Sequence, residues 1–317
     1  MKKILITGVC GFIFSNFIRK AFEDKLQYKF VGVDAVLASY NRNNIFVHPD
    51  YKFYMGDIAN EQFMDNVFAL ERPDIVINGA AESFVDDSIK SAQPFVHSNI
   101  MGTQVMIDLS LKYGVERYVQ VSTDEVMGQL LPSEKPWTEL SIPRPRNPYS
   151  ASKYAAEVLV YAANQTHGLN FNITRCANNY WTHQPARNLV PRIIKSIIMN
   201  TSMPIHGNGQ NIREWIAAPD HCDAIMTIIE KAPLNEIYNI GSGVHYTNME
   251  MVHNIGKILG VDNVKTHSIP DRKGHDRAYS VDCSKLKKLG WDTKIDFDTG
   301  MKNTVEWYLA NHSFYDF

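Results

Sequence analysis

Residues 2–34 read Lys2-Lys3-Ile4-Leu5-Ile6-Thr7-Gly8-Val9-Cys10-Gly11-Phe12-Ile13-Phe14-Ser15-Asn16, then an apolar-periodic stretch to Phe22, then Phe30-Val31-Gly32-Val33-Asp34. Lys3–Thr7 is a short apolar run that ends on glycine, and Phe12–Phe22 carries helical spacing. Phe30–Val33 is a second apolar run, closed by an acid. A strand, a glycine turn opening a helix, and a second strand ending in a carboxylate make a βαβ unit of the dinucleotide-binding kind. Glycines at the turn let the backbone approach a pyrophosphate, which then sits at the positive end of the helix. Asp34 can accept both ribose hydroxyls of NAD and would repel the 2′-phosphate of NADP. A glycine pair alone is a weak sign; its place at the head of the unit strengthens it.

The same alternation continues outward. Phe53–Met55 is a third apolar run, followed by a helical stretch from Glu61 to Leu70. Asp74–Asn78 and Arg117–Ser122 are further strands, separated by the long pattern from Pro94 to Tyr113. Continuous apolar runs between amphipathic segments suit a parallel sheet covered on both faces, which predicts an α/β Rossmann-type doubly wound parallel sheet. After about Arg175 prolines and glycines multiply (Pro185, Pro191, Pro204, Gly207, Gly209, Pro219). The expected organisation is an NAD-binding domain over 1–175, with later sheet elements interleaved, and a smaller C-terminal substrate-binding lobe over 176–317.

Bulk properties exclude several function classes. The chain has 317 residues, 44% hydrophobic and 21% charged, with a formal net charge of -2. That is an ordinary globular composition with no basic block, so neither nucleic acid nor a membrane surface is an expected partner. No stretch approaches the roughly 18 apolar residues of a membrane span, and the first apolar run is too short for a signal-peptide core. The expected location is the cytoplasm. Cys10, Cys176, Cys222 and Cys283 lie far apart without metal-ligand spacing, so no metal site or disulfide framework is expected.

Tyr149 and Lys153 stand four apart just after Pro148, so one helical turn puts them on one face. An ammonium at about 4 Å, with an effective dielectric near 20, favours the phenolate by about 4 kcal/mol, roughly three pKa units. That predicts a tyrosine moved towards neutrality and able to act as a base. Upstream stands Ser122-Thr123-Asp124-Glu125 at the end of a strand, where doubly wound folds keep their chemistry. A phenolic base with two carboxyl groups suits a reaction with more than one proton transfer.

These segments resemble the dTDP-glucose 4,6-dehydratases of the extended short-chain dehydrogenase/reductases. The resemblance runs through Thr7–Asn16, Arg72–Ile89, Ser122–Gly128, Asn147–Lys153, Thr174–Tyr180, Pro204–Ile225, Tyr238–Gly243 and Asp271–Arg277. The Asp-Glu pair is the specific part; a nucleotide-sugar 4-epimerase, the alternative, would share Tyr149 and Lys153 but have no use for both carboxyls.

The resemblance implies a nucleotide-diphosphate sugar as substrate and a cycle in which NAD is regenerated. Tyr149 would take the 4-hydroxyl proton, with Thr123 holding the 4-oxygen. Glu125 would remove the C5 proton and Asp124 protonate the departing C6 hydroxyl. Gly8, Gly11, Phe12, Ile13 and Asp34 would bind the cofactor, with Asp57 and Ile58 at the adenine and Ala80 and Ala81 at the nicotinamide half. Lys153 would bind the nicotinamide ribose beside Tyr149. Ser83 would approach the sugar; Asn179, Arg213 and Arg272 the diphosphate; and Leu189 the base, with Asn178 also binding substrate.

A homodimer through a four-helix interface is also implied, using 94–113 and 150–167 with Val105, Met106, Leu109, Val158 and Tyr161. Five positions depart from the family pattern: Phe14 replaces the third glycine of the turn, Phe84 a histidine, Asp87 an arginine, Met127 a tyrosine and Trp181 a glycine. They predict a changed pocket, such as one for uracil or a C2 N-acetyl group.

Overall fold

The computed structural model describes residues 1–36 and 42–311; the last residues of the expected substrate lobe, 312–317, lie outside them. Strands β1 (Lys3–Thr7), β2 (Lys29–Asp34), β3 (Tyr51–Met55), β4 (Ile75–Asn78), β5 (Arg117–Thr123), β6 (Phe171–Cys176) and β10 (Glu236–Ile240) form one sheet. Its order is β10-β6-β5-β4-β1-β2-β3, and every neighbouring pair is parallel. Strand order reverses between β1 and β4, so a crevice opens beyond their C-terminal ends.

Burial on both faces explains the unbroken apolar runs. In β1, Ile4 and Ile6 enter one core while Leu5 enters the other, and all three are fully buried. Helix α1 (Phe12–Glu23) lies on the first face with Phe14, Phe17 and Ile18; α2 (Glu61–Glu71) lies on the second with Met64, Val67 and Phe68. Short helix α3 (Val85–Lys90) follows the loop after β4.

The expected helical stretch 94–113 is not uniform. Val96–Met101 is a π-helical turn that runs into α4 (Gly102–Lys112). The extra residue turns Asn99 inward, where its Oδ1 accepts from Glu82 N and its Nδ2 donates to Glu82 O and Ser152 Oγ, all at 2.9 Å. Helix α5 (Pro148–His167) packs beside α4. Of the residues expected at a dimer face, Val158 and Tyr161 are 49% and 58% exposed. Met106 and Leu109 are not available to a partner: they are buried beneath α4 in the core of the second sheet face.

Beyond β6 the chain builds a separate small core. Strands β7 (Asn178–Tyr180), β9 (Ile212–Ala217) and β11 (His245–Thr247) form one sheet; β8 (Met203–His206) and β12 (Thr266–Ile269) form a pair. Val190 and Ile193 of α6 (Leu189–Ile198), Met251 and Ile255 of α8 (Asn248–Ile258), and Met301 and Tyr308 of α9 (Phe297–Ala310) pack there around Trp215. In between, α7 (Ala218–Lys231) returns to α1 and leads into β10 of the large sheet. No helix among the described residues is long and apolar enough to cross a membrane, and all four cysteines are free and buried.

Candidate active site

At the sheet's reversal point Thr7 ties two strand ends together. Its hydroxyl donates to Asn78 Oδ1 at 2.7 Å and accepts from the N–H groups of Gly79 and Ala80 at 3.1 and 3.0 Å. Gly8 follows with φ +77°, and a Cβ there would stand 2.8 Å from Ala80 backbone atoms, so this position admits only glycine. Gly11 caps α1 without a side-chain hydrogen bond, and no acid lies in the first turn. The first N–H groups of α1 therefore point to anionic ligand chemistry. The carboxylate of Asp34 accepts from Cys10 N at 2.9 Å and Val36 N at 2.7 Å. Burial raises its pKa, and those two N–H groups oppose the rise.

Phe14 is accommodated from an unexpected side. Its ring lies where a Cβ on Gly79 would be, 2.0 Å from Phe14 Cε2. The close approach usually granted by the third glycine of the turn is supplied here by a glycine on the neighbouring strand end. Asp57 holds His97 Nε2 at 2.7 Å and Ala59 N at 2.8 Å, while Ile58 packs against Gly102.

Thr123, the last residue of β5, caps a one-turn helix Asp124–Met127: its Oγ1 accepts from Glu125 N and donates to Asp124 Oδ1, both at 3.2 Å. Opposite stands the start of α5, fixed by a capping box in which Asn147 Oδ1 accepts from Ser150 N at 2.8 Å. Tyr149 and Lys153 project from this rigid first stretch, both buried.

Lys153 does not do what its spacing predicted. Its Nζ donates to Val121 O at 2.6 Å, and burial lowers its pKa to about 8. Tyr149 is held well above the ordinary phenol range, first by burial, next by the Glu125 carboxylate, with hydrogen bonding to Thr123 acting the other way. The expected lowering by the lysine is thus corrected: the lysine is engaged with a backbone carbonyl, and desolvation with a facing carboxylate raises the phenol.

The two carboxyls differ. Burial, then Glu125 and Glu214, push Asp124 well above the usual carboxylate range. Glu125 is raised by burial too, but the Arg213 guanidinium is its next largest influence and pulls it back. Both carboxyls are thus harder to ionise than free ones, and Arg213 opposes the rise in each.

A cavity of about 620 Å³ brings most of the candidates together: Gly8, Gly11, Phe12, Ile13, Asp34, Asp57, Ile58, Ala80, Ala81, Ser83, Thr123, Asp124, Glu125, Tyr149, Lys153, Asn178 and Asn179. Several buried polar atoms on its wall have no partner among the described residues, including Ser122 Oγ, Asp124 Oδ2 and Asn178 Oδ1. Such atoms call for a polar ligand.

Three candidates stand off this wall. Leu189 opens α6 and packs on the small-lobe core. Arg213 is buried, donating to Asp276 O at 3.0 Å with its guanidinium 4.3 Å from the centre of the Tyr279 ring. Arg272 pairs with Asp86 at 2.7 and 2.9 Å.

Of the departures from the family pattern, Phe14, Phe84 and Asp87 reach the cavity, and the last two share one partner. Arg187 lies 3.7 Å over the Phe84 ring and 2.6 Å from Asp87 Oδ2. Met127 and Trp181 do not reach it: Met127 Sδ accepts from Arg175, and Trp181 packs on Tyr180. Sequence reasoning missed Thr7, Asn99, Arg187 and His221. Only tertiary contacts reveal them, although Thr7 adjoins the glycine turn and could have been flagged there.

Fold and site define the class: an extended short-chain dehydrogenase/reductase in which one turn carries two carboxyl groups beside the Tyr–Lys pair. The family profile described as GDP-mannose 4,6 dehydratase matches residues 5–304. Low-salt glycan biosynthesis protein Agl12 of Haloferax volcanii is 38% identical over 311 residues, covering 97% of this chain and 99% of that protein. The dTDP-glucose 4,6-dehydratase of Streptomyces niveus is 36% identical over 322 residues, covering 99% and 95%. Among solved structures, the dTDP-glucose 4,6-dehydratase DesIV of Streptomyces venezuelae, with NAD bound, superposes with a TM-score of 0.93 at 34% identity, covering 99% of each chain. The chain belongs to the GDP-mannose 4,6 dehydratase family and is by enzyme class a nucleotide-sugar 4,6-dehydratase, a hydro-lyase.

Proposed function

We propose that this protein converts a dTDP- or UDP-hexose, of glucose or N-acetylglucosamine type, to the 4-keto-6-deoxy sugar, using NAD that is regenerated in each turnover. The observation that carries this is the pair Asp124 and Glu125 on one buried turn facing Tyr149, with Asp124 the harder to ionise.

The residues on the wall suit the cofactor. Gly8, Gly11, Phe12 and Ile13 would hold its pyrophosphate, Asp34 the adenine ribose, Asp57 and Ile58 the adenine, Ala80 and Ala81 the nicotinamide half, and Lys153 with Tyr149 the second ribose. When bound, NAD would supply hydride acceptance at C4 and hydride return at C6, and its oxidised ring would add the positive charge that favours a Tyr149 phenolate.

Thr123 orients the 4-oxygen and Tyr149 takes its proton. The resulting 4-keto group acidifies C5, and Glu125 removes that proton. Asp124, protonated by virtue of its surroundings, gives its proton to the leaving C6 hydroxyl, and water departs. A proton then returns to C5. Ser83 faces the sugar, and Asn178 and Asn179 face the diphosphate. Arg213 and Arg272 reach it once Arg272 exchanges Asp86 for phosphate, with Leu189 beyond them at the base. A 4-epimerase would leave both carboxyls without work.

The exposed Val158 and Tyr161 on α5, with half-buried Val105 on α4, suit a homodimer joined by these helices. Four buried free thiols suit the reducing cytoplasm.

The test is mass spectrometry of purified protein incubated separately with dTDP-glucose, UDP-glucose and UDP-N-acetylglucosamine. Loss of one water from one of them, with no added reductant, supports the reading and names the substrate. Conversion to a C4 epimer of unchanged mass overturns it.

A further inference from the structure

Asn179 stands on the cavity wall, and its side chain is gripped from behind by two groups. Its Nδ2 donates to Ala177 O at 2.9 Å, and its Oδ1 faces His221 Nδ1 at 3.0 Å. A carbonyl oxygen only accepts, so the amide atom beside Ala177 must be the nitrogen. The atom beside His221 is then the oxygen, and His221 Nδ1 must carry the hydrogen.

His221, near the start of α7, is fully buried, and burial lowers its pKa to about 4. The ring is therefore neutral, and its Nε2 is a bare acceptor with no partner among the described residues. One ring nitrogen is left unsatisfied while the other serves Asn179. The backbone of Asn179 is fixed as well, since its O accepts from Gln184 Nε2 at 3.2 Å.

With its oxygen held by His221 and one N–H given to Ala177, the Asn179 side chain keeps one N–H to offer a ligand. A flipped amide would present its oxygen instead, and an anion would be repelled. We propose that His221 is a positioning residue: through Nδ1–H it fixes the Asn179 amide so that the remaining N–H meets an anionic oxygen of the substrate's diphosphate. This rests on the reading of Asn179 as a diphosphate ligand given above. His221 itself touches neither substrate nor cofactor.

The experiment is calorimetric titration of dTDP and of UDP into the NAD-loaded wild type, His221→Leu and His221→Asn. Leucine removes the donor; asparagine keeps an N–H near the place of Nδ1. The expected result is binding weakened about tenfold in His221→Leu and restored to within about threefold in His221→Asn. NAD content should be equal in all three, and turnover should show a raised KM with kcat nearly unchanged. Equal binding by wild type and His221→Leu would overturn the proposal, as would His221→Asn as weak as His221→Leu.

A wild type that binds neither nucleotide would overturn the diphosphate reading itself. Because removal of a buried side chain can impair folding, the wild type supplies a second readout. Nitrogen NMR of ¹⁵N-histidine-labelled protein should show His221 as the neutral Nδ1–H tautomer. An Nε2–H tautomer would sink the proposal without any variant.

Discussion

The ammonium of Lys153 donates to the carbonyl oxygen of Val121 at 2.6 Å, so α5 is tied to the C-terminal end of β5 through the lysine that shares a helix face with Tyr149. The lysine therefore locks the two elements whose ends carry Thr123 and Tyr149. Its depressed pKa, about 8 against the ordinary 10.5, has a consequence for stability. In the folded protein the amine loses its proton more readily than in the unfolded chain. Folding is then penalised by protonation below about pH 8, and the penalty disappears as pH rises towards 10.5. Thermal melts of wild type and Lys153→Met should show the wild type gaining relative stability between pH 8 and pH 10. A difference in melting temperature independent of pH would contradict this.

The two carboxyls predict separable defects. In Asp124→Asn, exchange of the C5 hydrogen with solvent deuterium should persist while water loss falls by about 10²–10⁴-fold. In Glu125→Gln the exchange itself should fall by a similar factor. Deuterium incorporation measured beside product mass distinguishes them, and identical phenotypes would count against the assigned roles.

The pH dependence of kcat follows from the same pair. In the proposed cycle Glu125 acts ionised, so activity should fall as pH drops through its raised pKa. Asp124 acts protonated in that cycle, so activity should fall again as pH rises through its own raised pKa. Arg213 lowers both. Arg213→Met should therefore move both limbs to higher pH, a sign that loss of substrate binding alone would not produce. The limbs report macroscopic values of the coupled pair.

Phe14 and Gly79 form a size-matched pair. Gly79→Ala places a methyl against the Phe14 ring and should destabilise the protein by about 1–3 kcal/mol while lowering NAD retention. Adding Phe14→Gly should recover much of both losses. A double-mutant cycle by denaturant unfolding measures the coupling, and additive effects would show that the two residues are independent.

The legible parts of the chain were those set by local chemistry. Unbroken apolar strands such as Lys3–Thr7 announce a sheet buried on both faces, and the glycine turn with Asp34 announces its first crossover. Tyr149 and Lys153 share a face because four residues make one turn, and the structure places both on the cavity wall. What spacing cannot carry is competition between partners. Lys153 had a carbonyl from another element to satisfy, and Tyr149 faced a carboxylate that desolvation made influential. Asn99 came to brace the backbone of Glu82 on the cavity wall through a π turn with no sequence signature, and Phe14 was compensated by Gly79 on a different strand end. Met106 and Leu109 belong to the core because helical periodicity marks an apolar face without saying what covers it.

In the proposed cycle one hydride leaves C4 and returns at C6 within a single active site. Incubating the protein with nucleotide sugar deuterated at C4, without added reductant, and locating the label by NMR tests it directly. Deuterium is expected on C6 of a 4-keto-6-deoxy product. Deuterium retained at C4 of an epimerised sugar would contradict it.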